Sequence, residues 1–414
     1  MEDMKTFFSS NTFILKLSGM WWFLKQNNTH YKHVFYGIFC IIISQFYYLP
    51  SEWYRLKDIY SDFDNLINQL GMLLTHQLGM FKLLNIFLRR NRILNMIQTF
   101  QNSYDFESCG KFKPQQIIAD HKKVARNAIT LYFMLACCVP VTATISTAIQ
   151  LSKMSSDEFN GGSEVCDSIL PYYIVIPFDI STKISCCFAL IFQILPFVVF
   201  AWQITAHDLL FAVFLIALKC HFIIVRGAFE TLRSRCLKML NLQPHYNILH
   251  DRDNIKLDNA MKTEMRKCTQ YYQIIIKLAQ EVENSFTHII LVQVLIVIFI
   301  MVSCLYMMSS LVITSGKFFA EANFVIAILI QITFYCWFGN EMTLASADIC
   351  SGIYDNNWLS ASESFKRSML IQMIRSSRIT YITVGKFSPV TLLTLASILR
   401  GSYSYFALLS NLKE

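Results

Sequence analysis

The chain has 414 residues, of which 54% are hydrophobic, 14% aromatic and 15% charged, with a formal net charge of +8. Soluble domains carry about 25% charged residues, so this composition excludes an ordinary soluble protein and points to a polytopic membrane protein. The positive charge does not gather on one soluble stretch but follows the apolar segments, so no nucleic-acid partner is expected.

Residues 1–32 mix acidic and basic groups without an apolar stretch ending in small residues, so no cleaved signal peptide is expected. The first apolar run, Val34 to Pro50, reads as a retained anchor. Further spans are predicted at 66–88, 127–150, 183–206, 285–311, 319–340 and 388–412, with His76 and Lys82 weakening the second. The apolar stretch 206–222 is predicted to continue the fourth helix beyond the bilayer. From Asp258 to Glu283, Met261, Met265, Tyr272, Ile275, Ile276 and Ala279 recur at helical spacing, which predicts an amphipathic helix leading into the fifth span. Gly352 to Thr383 alternates Trp358, Phe365, Met369, Ile371, Met373 and Ile374 with Lys366, Arg367, Arg375 and Arg378. It is too polar to span and is expected to pack in a cytoplasmic helical layer rather than lie on the membrane surface. The connection 241–256 is expected to be disordered.

Of the 36 Lys and Arg, 28 fall in the N-terminus and in the loops 88–126, 219–277 and 343–386, against six in the alternate loops and the C-terminus. Those alternate loops hold Glu52, Asp58, Asp62, Asp64, Asp157, Glu158, Glu164, Asp167 and Asp179. Basic loops stay cytoplasmic, so seven spans are expected to run from a cytoplasmic N-terminus to an extracellular C-terminus. The fold expected is therefore an all-α membrane protein of seven transmembrane helices with a cytoplasmic helical anchor layer. Its expected divisions are 1–218, 219–284 and 285–414, with a cytoplasmic helix at 352–383. The sequon Asn27-Asn28-Thr29 lies on the cytoplasmic side in this arrangement and is read as chance.

Thirteen cysteines sit mostly in apolar runs, Cys186 and Cys187 among them, where they read as small buried hydrophobes. Cys166, in a polar loop, is the exception, and the sequence names no partner for it. No GxSxG, HExxH, phosphate-binding glycine loop or CxxC occurs, so neither an enzyme nor a cofactor or metal is expected. Polar groups within or near spans (His76, Lys82, Asp208, Glu341, Arg400) mark function by default. His207, Asp208 and Glu341, near helix ends, are expected to form structural pairs.

The final segment has membrane-crossing length yet a polar stripe. Ser388 to Leu412 would make roughly 37 Å of helix. On a helical wheel Thr391, Thr394, Ile398, Gly401, Tyr405, Leu408 and Leu412 share a face, beside Ser397, Ser404 and Asn411. Such a face suits a water-filled pathway closed by leucines, and equally suits packing against other helices through small residues.

That segment also carries a resemblance. Gly385-Lys386-Phe387-x-Pro389, Ser397-Ile398-Leu399-Arg400, Ser402-Tyr403-Ser404-Tyr405-Phe406 and Leu408-Leu409 resemble the last helix of insect odorant receptors. Leu170-Pro171-Tyr172, Pro177-Phe178-Asp179, Tyr335-Cys336 with Gly339 and Glu341, Ile353-Tyr354, Trp358 and Lys366-Arg367 are similar to that family as well. The gustatory relatives end in Thr-Tyr, five residues, then Gln-Phe, whereas this chain has Ser404-Tyr405 and Asn411-Leu412.

The resemblance implies a ligand-gated cation channel in the plasma membrane of sensory neurons. In it a tuning subunit assembles with a co-receptor subunit into a heterotetramer, surrounded by membrane lipid. It implies a pore and gate at Ser397, Gly401, Ser404, Tyr405, Leu408, Asn411 and Leu412. It also implies a site for a small volatile organic ligand in the outer half of the bundle. That zone holds Met72, Thr75, His76, Thr142, Ile145, Ser146, Phe188, Phe192, Phe324, Ile328 and Gln331. The alternatives are a seven-helix G-protein-coupled chemoreceptor and a gustatory-type channel.

Overall fold

The computed structural model describes residues 7–24, 31–59, 63–101, 106–154, 163–172, 174–243, 254–312 and 316–411. The sequon at Asn27, most of the 241–256 connection, and Leu412 lie outside the described residues.

The chain is helical nearly throughout. Two short helices, α1 (Ser9–Leu17) and α2 (Trp21–Leu24), precede α3 (Tyr31–Ile41), which passes through a π-helical stretch, Ile42–Tyr48, into α4 (Leu49–Ile59). Then follow α5 (Phe63–Gln101), α6 (Pro114–Lys153), the short α7 (Ser163–Ile169), α8 (Lys183–Glu230) and α9 (Leu232–Met239). The second half comprises α10 (Ile255–Ser310), α11 (Gly316–Ala347), α12 (Ile349–Tyr354), α13 (Glu363–Ser376) and α14 (Leu392–Asn411). A two-stranded hairpin, β1 (Thr383–Val384) with β2 (Ser388–Pro389), stands before α14.

Among the described residues six helices are long and apolar enough to cross a membrane: Tyr31–Lys57, Pro114–Lys153, Lys183–Glu230, Ile255–Ser309, Glu321–Tyr354 and Leu392–Asn411. The predicted second span, 66–88, lies inside α5, a 39-residue helix that falls short of that hydropathy. Its polar side chains explain why. His76 and Lys82 are buried against partners on other helices, so α5 meets protein where a lipid-facing helix would need hydrocarbon.

α8 is the axis of the bundle. It runs unbroken for 48 residues, roughly 70 Å at ~1.5 Å per residue, more than twice a ~30 Å hydrocarbon core. Every residue from Thr205 to Leu218 is buried, and from Leu209 to Leu218 the helix is apolar on all sides, as a buried helix requires. The stretch 206–222 therefore continues the same helix. α10 is longer still, at 56 residues, and joins the amphipathic 258–283 segment to the fifth predicted span without a break. Positions 218 and 284 thus fall inside continuous helices.

Beyond the long helices a compact layer forms from α9, the first half of α10, α12 and α13. Arg235 and Glu264, each about 5% exposed or less, lie 2.6 Å apart, and Arg235 also donates to the Ala228 carbonyl at 2.8 Å. Lys219 pairs with Glu341 at 2.6 Å and Arg226 with Asp348 at 3.0 Å. α13 docks through buried Phe365 and Met369, while Ile371 and Ile374 stay exposed. The packed layer expected there is present, with an apolar edge left over.

Two further departures from the sequence reading have local causes. Cys186, read as an inert small hydrophobe, forms a disulfide with Cys166, the Cα atoms 5.8 Å apart. An apolar run conceals a half-cystine when the half-cystine opens the helix and faces the neighbouring loop. Glu52, counted with the extracellular acidic groups, is fully buried and lies 2.9 Å from His76. Asp167 of that set pairs with Arg55 at 2.7 Å.

Candidate functional site

α5, α6, α8 and α11 converge on a cavity of about 130 Å³. Its wall is mainly apolar, with Phe197, Phe200 and Ile204 from α8, Leu135 and Val139 from α6, and Phe324 and Ile328 from α11. Five polar side chains interrupt it: Thr75, His76, Tyr132, Thr205 and Gln331. A concave apolar chamber with a few placed polar groups is the usual form of a small-molecule site.

The cavity has two polar poles. At one, His76 Nδ1 sits 2.9 Å from both carboxyl oxygens of Glu52, with the two side chains 2% and 1% exposed. Tyr48 and Phe197 meet the His76 ring edge-on, and Phe200 lies 4.8 Å from it in a tilted contact. Tyr172 stacks on Phe197 with centroids 4.3 Å apart, and burial together with the nearby Glu52 charge pushes its hydroxyl well above the ordinary range.

At the other pole Asp208 collects four donors. Lys82 Nζ lies 2.5 Å from Oδ1, which also accepts from Tyr335 at 2.6 Å. Gln331 Nε2 donates to Oδ2 at 2.6 Å and Tyr132 at 3.0 Å. Gln331 and Tyr132 belong to both the cavity wall and this network, so the network is the cavity floor. A buried carboxylate is tolerable only when paired and hydrogen-bonded in this way.

Of the ligand zone read from the sequence, Met72, Thr75, His76, Phe324, Ile328 and Gln331 line this cavity. Thr142, Ile145, Ser146, Phe188 and Phe192 do not. Thr142 Oγ1 accepts from Asn323 at 3.0 Å, Ile145 and Phe188 are exposed, Ser146 is half-buried, and Phe192 packs edge-on against Tyr47 and Phe178. The difference is one of rotation. On α8 the stripe Ile184, Phe188, Ile191 and Leu195 points outward at helical spacing, and the cavity takes the face of Phe197, Phe200 and Ile204. The polar residues Tyr132 and Thr205, placed in apolar runs, were the available signal for the inward faces of α6 and α8.

α14 holds the residues read as pore-forming. Ser397, Ser404, Tyr405, Leu408 and Asn411 are exposed on the single chain and Gly401 is half-buried. Thr391, Ile398 and Ser402 form the buried stripe, on the side facing α10 and α11. The wheel face of the sequence reading thus divides, its early part packing inward and its later part open.

The hairpin sets where α14 starts. Gly385 and Lys386 both have positive φ, 58° and 66°, in a three-residue connection between Val384 and Ser388 whose turn is closed by Phe387 N donating to Val384 O at 3.0 Å. Gly385 N donates to Thr287 O on α10 at 3.1 Å, and a Cβ there would meet Leu291 at 2.6 Å. Thr383 Oγ1 donates to Glu283 at 2.6 Å. Gly339 on α11 lies so close to the Val390 carbonyl that a Cβ would come within 2.3 Å. α11 therefore touches the cavity at Gln331 and the root of α14 two turns later.

Long apolar helices gathered around a mostly apolar cavity define a multi-pass membrane protein. Residues 62–403 match the family of 7tm odorant receptors, and the chain belongs to that family, one of receptors and not of enzymes. It is 30% identical over 182 residues to odorant receptor 46a, isoform B, of Drosophila melanogaster, covering 42% of this chain and 46% of that one. To odorant receptor 63a of the same fly it is 29% identical over 152 residues, 36% of each chain. The chain thus spans less than half the length of these relatives. The fold is similar to that of the olfactory receptor OR5 from Machilis hrabei in complex with eugenol, with a TM-score of 0.78 at 13% identity over 97% of both chains.

Proposed function

We propose that the chain is a tuning subunit of a heteromeric, odorant-gated, non-selective cation channel, assembled with a co-receptor subunit in the plasma membrane of sensory neurons. The cavity binds a small volatile molecule, and the open face of α14 lines the pore with Leu408, and Leu412 beyond it, at the gate. The observation that carries this reading is the link through α11, which has Gln331 on the cavity and Gly339 against the root of α14. The ligand acts by preferring the arrangement in which α14 has moved off the pore axis, since only differential affinity shifts such an equilibrium.

The N-terminus is cytoplasmic and the C-terminus extracellular. The distribution of Lys and Arg supports that orientation. So does the Cys166–Cys186 disulfide, which lies at the end of α8 away from the basic layer and requires an oxidising compartment. The layer of α9, α12, α13 and the first half of α10 is the cytoplasmic anchor. Exposed Asp179 raises cation concentration near the mouth modestly, in a salt-dependent way.

Coexpression with a co-receptor tests the reading. Odorant-evoked cation current that persists with G-protein signalling blocked is expected, and its disappearance under the block sinks the channel assignment. A C-terminal tag that is detectable only after permeabilisation sinks the orientation.

A further inference from the structure

The N-terminal helices and the far end of α5 carry cations that no acidic group answers. No Asp or Glu occurs between Asp3 and Glu52, nor between Asp64 and Asp105. Lys16 on α1, Lys32 on α3, and Arg90 and Arg92 on α5 are exposed, without an ion-pair partner among the described residues. The deeper layer behaves differently. There Lys219, Arg226, Arg235, Lys262 and Lys267 each meet a carboxylate.

Three contacts put the unanswered cations at one level. Arg89 donates to the Asn284 carbonyl of α10, so the predicted end of the second span at 88 lies beside the predicted start of the fifth at 285. Phe23 of α2 meets the Phe87 ring of α5 edge-on, with centroids 5.2 Å apart. Trp22 lies so close to Gly37 that a Cβ there would come within 2.2 Å, which brings α2 to the start of the first span. α1 and α2, of nine and four residues, are too short to span. They lie where the spans begin and end.

Within that rim the aromatic rings form a row with a cation at each end. Lys16 Nζ is 5.6 Å from the centre of the Trp21 ring, and Arg90 Cζ is 5.9 Å from that of Phe87. Between them Trp22 lies 4.4 Å from Phe23, which meets Phe87. Beside the row Phe13 and Leu88 are 62% and 76% exposed. Cations over aromatic rings, next to uncovered apolar side chains, suit the boundary where headgroups meet hydrocarbon.

We propose that this rim binds the phosphate-bearing headgroups of anionic phospholipids in the inner leaflet. Lys16 and Arg90 contact phosphate oxygens at the two ends of the row, and Lys32 and Arg92 add to the local positive potential. Phe13, Trp21 and Leu88 enter the acyl boundary. A soluble phosphate would satisfy the cations but leave Phe13 and Leu88 in water, so the lipid is the occupant. The inference rests on the cytoplasmic placement of the N-terminus argued above.

The test uses the purified full chain in neutral detergent with fluorescent phosphatidylserine, and fluorescent phosphatidylcholine as the neutral control. Phosphatidylserine should bind at concentrations on the order of tenfold lower. Lys16→Gln with Arg90→Gln should weaken it roughly twentyfold, about fivefold per cation near an anionic surface. Lys16→Arg with Arg90→Lys should keep it. Lys256→Gln with Arg266→Gln removes two exposed cations that sit roughly 28 Å or more of helix before the fifth span, and should change binding less than about twofold. Equal binding of the two lipids overturns the inference, and so does equal weakening by the α10 pair. Glycerophosphoserine that competes as tightly as the lipid binds overturns the lipid as occupant. Binding in detergent does not depend on sidedness, so a failure there counts against the site alone. An N-terminal tag detected on intact cells instead overturns the inner-leaflet placement, together with the orientation.

Discussion

Asp208 on α8 and Lys82 on α5 form an ion pair 2.5 Å long in which neither side chain is more than 1% exposed. It ties the least apolar helix of the bundle to the most buried one. The charge that makes α5 a poor membrane span is thereby explained as half of a contact.

Breaking that pair should be costly. Lys82→Met leaves Asp208 with its Tyr132, Gln331 and Tyr335 donors but without a countercharge, a loss of about 3–5 kcal/mol. Surface expression and detergent-state melting should fall sharply. The double change Lys82→Met with Asp208→Leu should cost much less than the sum of the two singles, because it removes both charges together. Additive losses would show that the two side chains do not act as a pair.

The hairpin turn should tolerate one substitution and reject another. Gly385→Val places a side chain at φ 58° and against Leu291, so about 2 kcal/mol or more should be lost, with current failing to develop. Lys386→Gly relieves a non-glycine residue at φ 66° and should be neutral or stabilising by up to about 1 kcal/mol in a thermal-shift assay.

The disulfide offers a test of sidedness. Cys166→Ser should cost on the order of 3 kcal/mol for a loop of this length, lowering surface density. Because both cysteines are buried, the probe is a cysteine at the exposed Asp179 between them, which should react with an impermeant maleimide on intact cells. Labelling seen only after lysis would place the loop on the other side.

Accessibility along α14 should follow its exposure pattern. Cysteines at Ser397, Ser404 and Leu408 should react with water-soluble thiosulfonates faster when odorant is present. Cysteines at Ile398 and Ser402, which are buried against the bundle, should stay protected. Rates at Leu408 that ignore the ligand would mean that this leucine packs without gating.

The sequence revealed what polarity marks and hid what it does not. His76 and Gln331, polar residues in apolar helices, pointed to the cavity faces of α5 and α11. On α8 the markers were Gln193 and Thr205, which share the inward side with Phe197 and Phe200, whereas the reading took Phe188 and Phe192 from other faces. Lys82 and Asp208 are 126 positions apart and lie on different helices, so nothing local paired them. Glu52 appeared to belong to a solvated acidic loop because its partner lies 24 positions on, inside the next helix. The anchor layer was legible from helical spacing, whereas the exposed edge of Ile371 and Ile374 was not, since spacing cannot say how wide the covered face is.

Among the described membrane-crossing helices α14 is the least covered, with 11% of its apolar window buried against 56% for α10. It is also the shortest, 20 residues held at one end by the turn at Gly385. A door of this kind, hung on one hinge and barely pressed against its frame, has little latch of its own. If α14 is the pore helix proposed above, its resistance to opening comes from whatever packs beside it, and the threshold for response belongs to the neighbouring subunits as well as to the ligand.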